Sequence, residues 1–300
     1  MISRREAVGL LASASAATVC AAAGRSLIHF LAAKPAKDGE VTPPLAPGAP
    51  TSPERLALIE SFRKESEGHE KKFEARSYKS DWEMPYRLFR PEAAGGKLPL
   101  VVYLHGSGGL GSDNLKQLGL GNIFGTRVWL LPQNQKTFPC YVVAPQTDRG
   151  WSHYDMSQDP PEAVPGFGEG SRMAVEIVDR LIREFPIDER RIYVTGQSMG
   201  GAGTWNVIAN RPNFFAAAVV CCGSVSSERG AESLKTPLWN FHGAADQTVP
   251  VEVSRARMSA RRQAGGKPLS TEYAGVDHNS WQWAYTEPAL MKWVFAQRRS

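Results

Sequence analysis

Cysteine and histidine are both scarce in this chain of 300 residues, which has four of the former and six of the latter. Three cysteines lie beyond the N-terminal stretch, and two of these, Cys221 and Cys222, are adjacent. Adjacent cysteines rarely bond to each other and the number is odd, so the sequence implies no disulfide framework. The histidines show no ligand spacing with these thiols. We therefore expect a domain that folds without disulfides and binds neither a metal ion nor a cofactor.

The chain also lacks a strong charge of one sign. Its formal net charge is +5 at pH 7, spread along the sequence apart from short basic pairs such as Arg261-Arg262. Aromatic residues are not interleaved with basic ones, as they are in many surfaces that bind nucleic acid. The composition therefore argues against a nucleic-acid partner.

No apolar stretch is long enough to be a confident membrane span. Residues 8–23 are apolar and alanine-rich, follow the pair Arg4-Arg5 and end in three alanines, which form an A-x-A type cleavage point. The arginine pair resembles a twin-arginine signal. Cys20 suggests a lipoprotein, but Val19 before it is larger than the small residue that lipoprotein cleavage requires. We therefore expect residues 1–23 to be an export signal, and the mature chain to be periplasmic or secreted without a stable membrane span.

A proline-rich segment follows, with six prolines between residues 34 and 53 and no apolar periodicity. This composition is typical of a semi-extended tether. The pattern then predicts a surface helix over residues 54–67. The side chains expected on its buried face are Leu56, Leu58, Ile59 and Phe62. We therefore divide the chain into the signal, a linker over 24–53 and one folded domain over 54–300.

Strand-type and helix-type segments alternate through this domain. The strands are predicted over residues 73–79, 85–89, 98–104, 141–144, 191–195, 215–220, 238–241 and 269–274. The helices are predicted near 171–184, 199–210, 251–264 and 287–297. Such alternation indicates an α/β fold with a mostly parallel, doubly wound sheet and helices on both faces.

The sequence Gly-Gln-Ser-Met-Gly-Gly over residues 196–201 lies between a predicted strand and a predicted helix. In a G-x-S-x-G turn of this kind the serine has a strained backbone, which the flanking glycines tolerate. The serine hydroxyl is then exposed at the end of the sheet. Ser198 is therefore the candidate nucleophile, and the N–H of Met199 is a candidate donor to a developing oxyanion.

Two later strands end in residues that suit a catalytic triad. Asp246 follows the strand predicted over 238–241, and His278 follows the strand predicted over 269–274. In this order, His278 would accept the proton of Ser198 and Asp246 would orient the imidazole. Asp246 could instead cap a helix that begins near Val251, and His278 could be a solvated loop residue. Asp277 competes for the acid role, but side chains adjacent in sequence diverge and cannot easily orient each other.

A glycine-rich loop follows the strand over 98–104. Its small residues allow a backbone N–H to turn into the site and supply a second oxyanion donor, for which Ser107 is the first choice and Gly108 the second. His105 at the start of the loop is more consistent with a structural residue beneath it than with a base.

Two tryptophans are candidate substrate contacts. Trp151 lies in the longest loop, over residues 146–170, which could form one wall of a pocket. Trp281 is three residues after His278, so its indole is close to the reacting group whatever the local backbone. For Trp283, packing against the sheet is as plausible as ligand contact.

These motifs resemble those of the α/β-hydrolase superfamily, in particular secreted esterases and predicted peptidases related to dienelactone hydrolase, feruloyl esterase and the prolyl oligopeptidase catalytic domain. The resemblance is carried by residues 86–91, 98–109, 111–114, 144–146, 196–201, 242–243, 246, 278 and 281. It implies an α/β-hydrolase fold, with Ser198 as nucleophile, Asp246 as acid, His278 as base, and Ser107 and Met199 as the oxyanion hole. It does not define the substrate.

The sequence therefore predicts a serine esterase that forms an acyl-enzyme from its ester substrate. The expected substrates are small-molecule or polysaccharide-linked esters, such as extracellular acetyl or feruloyl esters. A serine peptidase of the prolyl oligopeptidase type is one alternative, although the large gating domain usual in such peptidases is missing. A catalytically silent binding module on a hydrolase fold is the other.

Overall fold

A computed structural model of the protein describes residues 52–92, 95–155, 162–163, 166–223 and 234–300. The predicted export signal, the linker up to residue 51 and the cleavage point lie outside the described residues. The side chains of 154–155 and 162–163 are likewise not described.

Eight strands form one sheet, and two short strands pair separately. In chain order the strands are β1 (Glu74–Lys79), β2 (Glu83–Phe89), β3 (Leu98–Leu104), β4 (Tyr141–Pro145), β5 (Tyr154–Asp155), β6 (Glu162–Ala163), β7 (Ile187–Gln197), β8 (Ala217–Cys221), β9 (Leu238–Gly243) and β10 (Leu269–Tyr273). The order across the large sheet is β1-β2-β4-β3-β7-β8-β9-β10. β1 with β2 and β2 with β4 are antiparallel, and every other pair in this sheet is parallel.

Helices flank the sheet and follow most of its strands. They are α1 (Pro53–Glu65), α2 (Ile123–Arg127), α3 (Pro132–Thr137), α4 (Glu169–Glu184), α5 (Met199–Asn210), α6 (Val251–Gln263), α7 (Trp281–Tyr285) and α8 (Leu290–Ala296). The predicted doubly wound α/β sheet is therefore confirmed.

Alternation along the central strands explains the two covered faces. Val102 and Val194 belong to a core that α4 and α5 cover with apolar side chains. Their neighbours Tyr103 and Tyr193 point to the opposite face. There the ring of Tyr193 packs against Phe295 of α8 at a centroid distance of 5.4 Å. A sheet buried on both faces favours apolar strands, which is why β4, β8 and β9 are buried along their whole length.

The structure corrects two expectations about helices. Leu56 was predicted on the buried face of α1, but it is 47% exposed, whereas the other three residues predicted there are buried. Its position on the helix turns it away from Phe62 and the sheet. The helices α2, α3 and α7 were not predicted, because with five or six residues they are too short to show a 3.6-residue period.

Candidate active site

Ser198 lies on the sharp turn between β7 and α5, with φ 54° and ψ −121°. The N–H of Ser198 donates a hydrogen bond to the carbonyl of Cys221 at 2.9 Å, which ties the turn to β8. A Cβ at Gly200 would collide with the carbonyl oxygen of Leu104, so only glycine fits there. The strained conformation is thus held by close packing of the turn against the neighbouring strands.

The structure brings Ser198, His278 and Asp246 together. The Oγ atom of Ser198 is 2.8 Å from Nε2 of His278. On the other side of the ring, Nδ1 is 2.8 Å from Oδ2 of Asp246. Because a carboxylate only accepts, Nδ1 carries the proton, which leaves Nε2 free to accept from the serine hydroxyl. The three side chains thus lie within hydrogen-bond reach of one another in the order serine, histidine, carboxylate.

The Asp246 side chain is buried, and its two oxygens have different partners. Oδ1 accepts from the backbone N–H groups of Thr248 and Val249, each at 2.9 Å. Oδ2 faces His278. The carboxylate stabilises the turn ahead of α6 but does not cap this helix, whose N-cap is Pro250. Its second oxygen remains available to the imidazole.

Asp277 is exposed, and within the described residues its carboxylate accepts hydrogen bonds from backbone N–H groups alone. Its Oδ1 accepts from the N–H of His278 at 2.7 Å and from that of Gln247 at 3.3 Å. In the part of the chain that the structure describes, no hydrogen bond joins this carboxylate to the imidazole ring. Asp246 is therefore the carboxylate placed to orient His278.

The loop predicted to supply an oxyanion donor, called the oxyanion loop below, follows β3 as a 3₁₀ helix over Ser107–Gly109. The N–H of Gly106 donates to Oδ1 of Asn122 at 3.0 Å, and so does the hydroxyl of Tyr103 at 2.9 Å. Among the hydrogen bonds of the described residues, none uses the N–H of Ser107 or that of Met199, so both are available to a ligand. Asn122, which sequence reasoning missed, is buried and anchors the loop. It lies in an irregular segment with no periodic signal.

His105 is a structural residue, as expected. The Nε2 atom of its ring accepts a hydrogen bond from the N–H of Thr147 at 3.1 Å. Its Nδ1 atom donates to the carbonyl of Gly106 at 2.8 Å. Burial lowers the pKa of His105 to about 4. The neutral ring therefore supports the oxyanion loop from below.

The expectation for Trp151 is wrong. Its side chain is 0% exposed, and its ring packs edge-on against His105 at a centroid distance of 4.9 Å. Its Nε1–H donates to the carbonyl of His105 at 2.8 Å. The chain after β4 turns inward here, so this indole belongs to the core beneath the oxyanion loop and has no surface for a substrate.

Trp281 lies beside the catalytic candidates. Its ring is perpendicular to that of His278 at a centroid distance of 5.5 Å. A Cβ on Gly121 would lie 3.1 Å from the indole, so the segment before α2 approaches the ring closely. The Nε1 atom of Trp281 is buried and has no partner among the described residues. Trp283 instead packs against Tyr273, with ring centroids 6.4 Å apart.

Exposed apolar side chains concentrate near the oxyanion loop. Of the large hydrophobic side chains that are exposed in the described part of the chain, all but Leu56 lie in the segment after this loop. They are Leu110, Leu115 and Leu120, which are 36%, 61% and 78% exposed. Leu120 also has a positive φ of 47°, which is rare for a branched side chain.

One group of side chains within the described residues has the composition of a metal site. Ligand atoms of Cys222, Asp246 and His278 all lie within 4.8 Å of one another. The Cys222 thiol donates a hydrogen bond to the backbone carbonyl of His278 at 3.2 Å. The other two side chains bind each other. The side chains of this group are thus already hydrogen-bonded within the site.

Residues 92–286, more than half of the chain, match the Phospholipase/Carboxylesterase family. The chain therefore belongs to this family of α/β-hydrolases. Acetylxylan esterase A of Emericella nidulans is 26% identical over 133 residues, which are 44% of this chain and 43% of that protein. A probable carboxylesterase of Oryza sativa subsp. japonica is 27% identical over 204 residues, covering 62% of this chain and 74% of that protein.

Solved structures show the same fold. A thermostable esterase is 36% identical with a TM-score of 0.70, covering 77% of this chain and 64% of that chain. The acylaminoacyl peptidase of Pyrococcus horikoshii has a TM-score of 0.56 at 17% identity, covering 76% of this chain and 42% of that chain, which indicates the fold alone. This chain thus spans less than two thirds of the acetylxylan esterase and of both solved chains. No helix within the described residues is long and apolar enough to cross a bilayer.

Proposed function

We propose that this protein is a serine esterase that hydrolyses carboxylic esters through an acyl-enzyme on Ser198. The observation that carries the proposal is the pair of 2.8 Å contacts from Ser198 Oγ to His278 and from His278 to Asp246. Nucleophile, base and orienting acid are within hydrogen-bond reach of one another, as this chemistry requires.

Each chemical step has a group in place. Ser198 Oγ attacks the ester carbonyl while its proton moves to Nε2 of His278. The N–H groups of Met199 and Ser107 stabilise the oxyanion. The carbon–oxygen bond of the leaving group then breaks, and the alcohol takes the proton from Nε2. Water, deprotonated by the same nitrogen, attacks the acyl-enzyme, and the acid leaves as Ser198 regains its proton.

The substrate class follows from the surroundings of the serine and from the relatives. Trp281 and the exposed leucines after the oxyanion loop present apolar surface beside the site. Acetylxylan esterase A, by its name, acts on an acetylated polysaccharide. Together with the predicted export signal over residues 1–23, these features support an exported enzyme for acyl esters of small molecules or polysaccharides outside the cell.

The test combines active-site labelling with a substrate panel. A fluorophosphonate probe is applied to the parent, to Ser198→Ala and to Ser80→Ala, which changes an exposed serine away from the site. We expect the parent and the control to be labelled and Ser198→Ala to remain unlabelled. On p-nitrophenyl acetate, Ser198→Ala should lose on the order of 10⁴-fold or more in kcat. Labelling and near-normal turnover of folded Ser198→Ala would remove Ser198 as the nucleophile.

The panel also separates the rival activities. It comprises p-nitrophenyl acyl esters, a feruloyl ester, acetylated xylan and the matching anilides. Faster cleavage of the anilides than of the esters would assign a peptidase. A parent protein that is folded but neither labelled nor active would assign a binding module.

A further inference from the structure

A second histidine, His242, also contacts Asp246, and unlike His278 it is fully buried. It is on β9, four residues before the carboxylate, and its side chain is wholly inaccessible to solvent. Its Nε2 atom lies 3.2 Å from Oδ2 of Asp246 and 2.8 Å from the carbonyl oxygen of Val249. Its Nδ1 atom lies 2.6 Å from Oγ of Ser254 on α6.

These partners determine where the proton of the ring lies. A carbonyl and a carboxylate accept but do not donate, so Nε2 of His242 must carry a hydrogen. The Ser254 hydroxyl can donate, and it does so to the unprotonated Nδ1. Burial lowers the pKa of His242, which keeps the ring neutral. The neighbours therefore hold one neutral tautomer, whose single N–H donates to Val249 and lies beside Oδ2 of Asp246.

Each oxygen of Asp246 therefore has two nitrogen neighbours. Oδ1 accepts from the N–H groups of Thr248 and Val249, and Oδ2 accepts from His278 and lies 3.2 Å from Nε2 of His242. A carboxylate has about four acceptor positions, so little freedom remains for it to rotate. Without His242, the polar neighbour that the structure shows for this buried Oδ2 is Nδ1 of His278.

We infer that His242 is a positioning residue that holds Asp246 in the orientation needed by His278. This inference rests on the proposed function of Ser198. A neutral donor is suited to this place, because a cation beside Asp246 would compete with the imidazolium that forms on His278 during the reaction. The ring thereby orients the carboxylate without neutralising the negative charge that stabilises the transition state.

Two amide substitutions separate positioning from general packing. The Nε2 amide of glutamine in His242→Gln reaches nearly as far along the side chain as Nε2 of histidine, so it retains a donor for Asp246. The shorter amide in His242→Asn corresponds to Nδ1, which faces Ser254 and not Asp246. Both variants place an uncharged polar group in the same cavity, so they form a matched pair.

The experiment measures kcat and KM on p-nitrophenyl acetate, with kcat normalised to the fraction of protein labelled by a fluorophosphonate, alongside thermal melts. We expect His242→Asn to lower normalised kcat about 10- to 100-fold, the range typical when a metal ligand loses the hydrogen-bond partner that orients it. KM should stay within about twofold of the parent value, since Asp246 and His278 separate His242 from the substrate. His242→Gln should recover most of the loss at a similar melting temperature.

Two results would overturn the inference. One is a normalised kcat for His242→Asn equal to that of the parent. The other is an equal loss in both variants that follows the fall in melting temperature, as a packing role would produce. These differ from a failure of the proposed function, in which the folded parent itself would neither hydrolyse the ester nor bind the probe.

Discussion

The Nδ1 atom of His278 lies 2.8 Å from Oδ2 of Asp246, across a separation of 32 residues. Among the described residues, the carboxylate of its sequence neighbour Asp277 binds backbone N–H groups alone. Parallel strands explain this result. β9 and β10 are adjacent and end at the same edge of the sheet, so the loops that follow them meet.

Asp246→Asn should lower kcat by about 10⁴-fold, because the amide presents a donor to Nδ1 and favours the wrong tautomer of His278. Asp277→Asn is the matched control and should remain within about threefold of the parent, since an amide oxygen still accepts from the backbone. The measurement is kcat on p-nitrophenyl acetate with thermal melts of both variants. If Asp277→Asn were the more damaging change at equal stability, the acid would be Asp277.

Because His105 is buried, the free energy of unfolding should depend on pH in the acid range. Its folded-state pKa is about 4 against 6.5 for the exposed group. Between these values the unfolded chain binds the proton and the folded chain does not, so the free energy of unfolding falls as pH drops from 6.5 to 4. This contribution of His105 to the free energy of unfolding is about 3 kcal/mol at most. Above pH 6.5 it is fully present.

Urea unfolding at pH 7 and pH 4.5 tests this expectation against His105→Gln. The variant cannot take up this proton, so its free energy of unfolding should change less between the two pH values than that of the parent. Taking the difference between the two proteins removes the effect of other buried histidines such as His242. Equal pH dependence in both proteins would show that His105 is not the group responsible.

Asn122→Ala should reduce kcat through the oxyanion loop. The substitution removes the acceptor for the N–H of Gly106 and leaves that buried donor without its partner, a loss worth about 1–3 kcal/mol of stability. We expect kcat to fall about tenfold or more while KM changes little. Asn134→Ala, which removes a hydrogen bond from α3 to the carbonyl of Val128, is the control. It should lower the melting temperature without changing kcat, and an equal effect on kcat in both variants would argue against a special role for Asn122.

Trp281→Ala should change the ranking of acyl esters. The indole contacts the His278 ring, so its loss removes apolar surface close to the acyl or alcohol group. We expect the largest fall in kcat/KM for the preferred ester of a series from acetyl to longer and aromatic acyl groups. Trp283→Ala, on the same short helix but packed against Tyr273, should lower stability and leave the ranking unchanged. A uniform loss in Trp281→Ala that follows its melting temperature would make this residue part of the core.

Much of the fold could be predicted because the long elements carry strong local signals. The bounds of β3 and α5 agree with the predicted ranges, since an unbroken apolar run and a long helical pattern are each informative alone. The fold class also follows from alternation of such elements. The short helices and 3₁₀ turns between Gly111 and Thr137 carry no comparable period, and this is the segment that contains Asn122.

The sequence by itself determined the alternating α/β order, the glycine-flanked turn at Ser198 and the succession of Asp246 and His278 after later strands, because these depend on local backbone preferences and chain order. Only the tertiary structure decided that Trp151 is buried, that Asn122 anchors the oxyanion loop and that His242 contacts Asp246. These outcomes depend on which distant segments pack together, and a side chain's burial and hydrogen-bond partners are properties of that packing rather than of its neighbours in sequence.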